Sequence, residues 1–133
     1  MRKYAVLVAA VLMQMCLGAT YAWSVFVGRI REFWDLGQGT AQWPFTLFYV
    51  VFPATAVLGG RLLGRLGPRA CAMAGGALFG CGWMVAGLGD SHFGLTVAGI
   101  GLLAGMGAGL AYLVPIQTAV LWFPRHKGLV TGI

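Results

Sequence analysis

The sequence predicts an all-α membrane protein with four transmembrane helices and the start of a fifth, on three observations. First, 59% of the 133 residues are hydrophobic and only 9% are Asp, Glu, Lys or Arg, with a mean hydropathy of +0.84; a soluble domain carries about a quarter charged residues. Second, the charges bracket long uncharged runs: 25 residues from Tyr4 to Gly28, 25 from Leu36 to Gly60, 20 from Ala70 to Gly89 and 32 from Phe93 to Pro124. Third, the basic residues gather in alternate connections. Disorder is excluded because it needs low hydrophobicity and high charge, and the 22 glycines follow no collagen period.

A helix needs about 20 apolar residues to cross a ~30 Å hydrocarbon core, so each run is long enough. The spans fall near 4–27, 41–60, 70–88 and 94–116, and a fifth starts near 129 and is cut off at Ile133. Barrel strands would show ~10-residue alternating segments, and none occur. The first run, behind Arg2 and Lys3 and with small residues at Ala19 to Ala22, looks like a signal peptide, yet it outruns a ~7–15-residue apolar region and three more spans follow. It reads as a retained helix. Pro53 and Pro115 interrupt spans 2 and 4, where proline frees a carbonyl and bends the axis. A wholly helical Phe93 to Pro124 would be ~48 Å long, so a bend or interfacial turn is expected between Pro115 and Pro124, with Trp122 and Phe123 at the interface.

Orientation follows from the connections. Arg2 and Lys3, then Arg61, Arg65 and Arg69, then Arg125 and Lys127 make seven of the nine basic residues and lie on one side without an acid. The other side holds Arg29 and Arg31 with Glu32, Asp35 and Asp90. Basic connections stay cytoplasmic, which places the N-terminus inside. The formal charge of +6 is therefore topological; no basic stripe with interleaved aromatics exists for a nucleic-acid partner.

Catalytic and metal chemistry find no footing. Cys16, Cys71 and Cys81 lack a CxxC or Cys/His spacing, His92 and His126 lie in connections, and no Ser/His/Asp set can be assembled. Gly99-x-Gly101-x-x-Ala104 matches a dinucleotide fingerprint as a string but lies inside a span with no acid downstream, and Gly59-x-x-x-x-Gly64 is followed by Arg65-Leu66 instead of Lys and Ser or Thr. No catalytic residue, metal ligand or cofactor is expected.

The glycines read as packing faces: Gly101, Gly105 and Gly109 recur every four residues, as do Ala72, Gly76 and Gly80, and small-xxx-small stripes let helices approach closely in lipid. In span 1, Gln14, Gly18 and Tyr21 share a face, with Ser24 nearby; in span 4, Gly105, Gly109 and Tyr112 do so, with Gln117 and Thr118 near its inner end. Such polar groups prefer the protein interior or a water-filled cavity. Interhelical hydrogen bonds and a substrate path both account for them; Tyr21 and Tyr112 are the best cavity candidates, because a phenol offers a ring face and a polar tip.

Three motifs carry a family resemblance. Gly60-Arg-Leu-Leu-Gly-Arg-Leu-Gly-Pro-Arg69 resembles the G-x-L-x-D-R-x-G-x-R loop of the major facilitator superfamily at Gly60, Leu62, Arg65, Gly67 and Arg69, with Gly64 standing where the acid belongs. Gly18-Ala-Thr-Tyr-Ala-Trp-Ser-Val-Phe26 resembles the first-helix signature of the oxalate/formate antiporter-like carriers, and Trp122-Phe-Pro-Arg-His-Lys-Gly-Leu-Val-Thr-Gly-Ile133 is similar to their segment leading into helix 5. The resemblance implies the N-terminal part of a twelve-helix fold in a bacterial inner (plasma) membrane. It further implies a secondary carrier for small organic anions such as oxalate, formate or monocarboxylates, working by alternating access. Helices 1 and 4 line the cavity in that family, the missing C-terminal helices hold its cationic substrate-binding residues, and the loop acid links its bundle halves. Spans 1 and 4 correspond in its inverted repeats, and Gly18 with Tyr21 matches Gly109 with Tyr112. No charge lies within a span; one at mid-membrane would cost ~2.5–3.5 kcal/mol. A complete four-helix protein, acting as an oligomeric exporter or structural subunit, is the competing expectation.

Overall fold

The computed structural model describes residues 2–89, 92–123 and 128. Arg125, His126, Lys127, Asp90 and the fifth span expected near 129 lie outside the described residues. Among the described residues, four helices are long and apolar enough to cross a membrane: α1 (Tyr4–Trp34), α2 (Gln38–Leu66), α3 (Pro68–Gly87) and α4 (Phe93–Trp122). No strand occurs among the described residues.

The helices run past the apolar windows because hydropathy marks where hydrocarbon ends, not where backbone bonding ends. Arg29, Arg31 and Glu32 are good helix formers and carry α1 to Trp34. Asp35 then stops it in the left-handed region (φ 49°), its N–H donating to the Arg31 carbonyl; a short polar side chain tolerates that conformation better than most. Helix α2 begins with a turn at Gln38–Ala41 and is renewed from Trp43, with Pro44 in its first turn, where no N–H is needed. Pro53 and Pro115 sit inside unbroken helices. Helix α4 passes through Pro115 and ends only at Trp122, where Phe123 leaves at φ −126°, ψ 62°. Burial of Val114, Pro115 and Ala119 holds the helix together across the missing hydrogen bond.

One residue joins α2 to α3. Gly67 adopts φ 83°, ψ 164° between Leu66 and Pro68. That combination is essentially restricted to glycine, and the extended ψ is what a following proline demands. A reversal this tight sets the two helices side by side at their ends, although α2 and α3 each pack far more heavily on α4 than on each other.

Helix α4 is the hub. In its most apolar window 56% of residues are buried, against 6% for α1 and 17% each for α2 and α3. Gly101, Gly105 and Gly109 face α2 as a stripe: β-carbons there would meet Leu47, then Val51 and the Phe48 carbonyl, then the Phe52 carbonyl and Thr55. Against α3 the contact is made by other residues than the sequence pattern implied. Gly76 and Gly80 meet nothing within 4 Å, whereas Gly75 and Gly82, seven residues apart, lie directly on α4. Adjacent residues differ by about 100° around a helix, so a neighbouring glycine in the same run turns a different face to the partner.

The register of that seam accounts for an unusual segment. A β-carbon on Gly82 would lie 2.5 Å from both the Gly99 carbonyl oxygen and the Ala104 nitrogen, whereas one on Gly75 would lie 2.8 Å from the Gly107 oxygen and the Ala111 nitrogen. The first pair is five residues apart and the second four. Val97–Ala104 is π-helical, bonded i→i+5, and this wider winding absorbs the extra residue that α4 carries between the two α3 contacts.

Two clusters fill the interior. Phe48, Ala104 and Ala108 are joined by Leu17, Phe52, Phe79 and Trp83; Leu63, Cys71 and Val114 are joined by Met13, Ala72 and Leu113 near the Gly67 turn.

Candidate functional site

A cavity of about 250 Å³ lies between α1, α2 and α4, lined by Gln14, Leu17, Gly18, Thr20, Tyr21, Phe48, Tyr49, Phe52, Ala108 and Tyr112. Each helix supplies a different feature. In α1 the winding tightens to a 3₁₀ turn at Ala19–Ala22 directly after Gly18. Thr20, only 2% exposed, has its hydroxyl satisfied by the Leu17 carbonyl at 2.7 Å. Tyr21 projects from the same turn.

Helix α2 supplies an aromatic ladder. Phe45, Phe48, Tyr49 and Phe52 fall at i, i+3, i+4 and i+7 and so share one face. Phe48 and Phe52 stack at 5.9 Å with a 6° interplanar angle, and Tyr49 lies 4.7 Å from Phe45 and 6.4 Å from Tyr21. From α4, Tyr112 meets Phe52 edge-on at 5.3 Å, and Ala108 leaves the space that the cavity occupies. Tyr21 remains 73% exposed and Tyr112 37%, so the cavity is open along one side.

None of the lining residues is charged. The site can offer ring faces and edges, three phenol groups and one carboxamide. It is suited to hydrogen-bonding a small polar solute while shielding its carbon skeleton.

The structure brings Gln14, Tyr21 and Tyr112 together and leaves Ser24 and Gln117 outside. Both are exposed and neither lines the cavity. Ser24 lies beyond the 3₁₀ turn, where the winding has changed; Gln117, five residues past Tyr112, faces another side of α4. Phe48, Tyr49 and Phe52 do not stand out as polar groups in an apolar run, although their aromatic spacing is a readable signal. In the loop motif, Gly67 makes the reversal, a β-carbon on Gly60 would lie 3.5 Å from Leu113, and Leu62, Arg65 and Arg69 are exposed. A β-carbon on Gly64 would meet nothing within 4 Å. Among the described residues no group of His, Cys, Asp and Glu is placed to hold a metal.

The model of the major facilitator superfamily matches residues 4–133. The chain belongs to that superfamily. It is 32% identical over 131 residues to the oxalate:formate antiporter of Oxalobacter formigenes, covering 98% of this chain and 31% of the relative. It is 29% identical over 130 residues to an uncharacterized MFS-type transporter, YhjX, of Escherichia coli (strain K12), covering 98% and 32%. Monocarboxylate transporter 11 of Homo sapiens is 29% identical over 104 residues, covering 78% and 22%. The chain thus spans about a third of the length of the first two relatives. No solved structure matches it. Membership of this superfamily points to transport, and the four apolar helices make the chain an integral, multi-pass membrane protein in contact with lipid.

Proposed function

We propose that this chain forms part of a secondary carrier for small organic anions of the oxalate/formate or monocarboxylate type, working by alternating access, and that the α1–α2–α4 cavity is part of its substrate path. The observation that carries this reading is the convergence of Gln14, Tyr21 and Tyr112, from two helices far apart in sequence, on one cavity with the α2 aromatics. The similarity to the oxalate:formate antiporter supports the substrate class. Phenol and amide donors bond carboxylate oxygens, and aromatic edges, which carry partial positive charge, tolerate the anion. The uncharged lining means that the counter-charge comes from elsewhere in the carrier, from helices that close the open side.

The orientation belongs to the same proposal: the N-terminus is cytoplasmic, in a bacterial inner membrane, with Arg61, Arg65 and Arg69 on the cytoplasmic side. There Gly60, Leu62, Arg65, Gly67 and Arg69 form the loop that helps the bundles change state. Uptake of labelled oxalate, formate and lactate by the full-length protein in proteoliposomes tests the reading. Saturable exchange of at least one supports it; transport confined to cations or neutral solutes contradicts it.

A further inference from the structure

Aromatic rings and the side chains of Gln14, Leu17 and Thr20 build the cavity wall, except at Gly18 of α1 and Ala108 of α4. Ala108 owes its size to packing: it is 2% exposed and belongs to the core cluster with Phe48 and Ala104. Packing does not account for Gly18. Among the described residues a β-carbon there would meet nothing within 4 Å. Conformation does not account for it either, since φ −65° and ψ −17° are open to any residue. Gly67 needs its φ of 83°, and Gly75 its clearance from Gly107; Gly18 needs neither.

A glycine also serves where backbone must lie close to a ligand, and Gly18 is the one glycine in this cavity's lining. Its neighbours say which part of a ligand it meets. Gln14 and Tyr21 stand four residues before and three after it on the same face of α1, and both line the cavity. The bare backbone at Gly18 is thus flanked by a carboxamide and a phenol. Among the described residues the Gln14 carboxamide has no hydrogen-bond partner, whereas the Thr20 hydroxyl is already engaged with the Leu17 carbonyl. Leu17, Phe48, Phe52 and Ala108 supply apolar surface to the same cavity, where a carbon skeleton is at home.

We propose that Gly18 is the floor of a carboxylate subsite. The substrate's carboxylate lies against the α1 backbone at this residue, and the Gln14 amide and the Tyr21 hydroxyl donate to its oxygens. The subsite presupposes the transport reading and locates the one group that all the candidate anions share. A side chain at position 18 lifts the carboxylate away from both donors.

The test is uptake of labelled formate, acetate and oxalate by the full-length protein in proteoliposomes, comparing Gly18→Ala with Gly28→Ala. Gly28 lies on the same helix, is equally open at its β-position and does not line the cavity. Two lost hydrogen bonds, each worth roughly two- to tenfold in affinity, raise KM roughly four- to a hundredfold. We expect that rise in Gly18→Ala for every anion carried, with formate, which has no tail, affected as strongly as the rest. The melting temperature of Gly18→Ala in detergent holds or rises, because alanine is the better helix former, and Gly28→Ala keeps the original KM. An unchanged KM, a rise confined to the larger anions, a fall in kcat alone or an equal rise in Gly28→Ala overturns the subsite. So does a lowered melting temperature, which would make Gly18 a packing residue. If the unaltered protein takes up none of the three saturably, the transport reading fails first and the subsite falls with it.

Discussion

Gly75 of α3 and Gly107 of α4 meet so closely that a β-carbon on Gly75 would stand 2.8 Å from the Gly107 carbonyl oxygen. The other neighbouring atoms are the Ala111 nitrogen and β-carbon, and none of these can rotate away. The seam between these helices therefore depends on the absence of side chains at a few positions, not on a general abundance of small residues.

That distinction sets opposite signs for similar substitutions. Gly107→Ala would press on the Phe79 nitrogen and Gly82→Ala on the Gly99 oxygen. Overpacking of this kind costs about 1–3 kcal/mol. Gly76 and Gly80 are open, and alanine is the better helix former by about 1 kcal/mol, so alanine there holds or raises stability. Gly105→Ala falls between them, since Val51 at 3.3 Å can shift slightly. Thermal unfolding in detergent ranks the five variants.

The α2–α3 reversal gives a second contrast. Gly67→Ala forces a side chain into φ 83°, ψ 164°, a strain of about 1–3 kcal/mol, and folded yield should fall. Gly64→Asp restores the acid of the family motif at a site with open space around it and should leave yield intact. Fluorescence-detected size exclusion measures both.

Thr96 provides a third. Among the described residues its buried hydroxyl has no hydrogen-bond partner, and the residue is 4% exposed. A buried unsatisfied group costs about 1–3 kcal/mol, so Thr96→Val, close in shape, should raise the melting temperature. A lowered melting temperature would mean that the hydroxyl has a role that the structure does not display.

Much of this fold is legible in the sequence because a bilayer leaves few solutions: charge-free runs must be spanning helices, and the charges around them mark their ends. The hub position of α4 is less legible. It follows from facing three neighbours at once, and hydropathy cannot separate lipid-facing from protein-facing apolar residues. The choice between Gly75 and Gly76 fails for the same reason, since the glycine run offers two faces and only the partner selects one. The π winding at Val97–Ala104 needs the α3 register to explain it. At the site, Gln14, Tyr21 and Tyr112 stand out as polar groups in apolar runs, whereas Tyr49 is hidden among phenylalanines that read equally well as core.

The most direct measurement is concentration-dependent carboxylate uptake by the full-length protein in proteoliposomes, comparing Tyr21→Phe and Tyr112→Phe with Ser24→Ala and Gln117→Leu. Each phenol contributes one hydrogen bond of about 0.5–1.5 kcal/mol. We expect each Phe variant to raise KM roughly two- to tenfold at similar expression, with Ser24→Ala and Gln117→Leu unchanged. Unchanged KM in both Phe variants, or a rise confined to Ser24 and Gln117, would contradict the placement of the substrate in the α1–α2–α4 cavity.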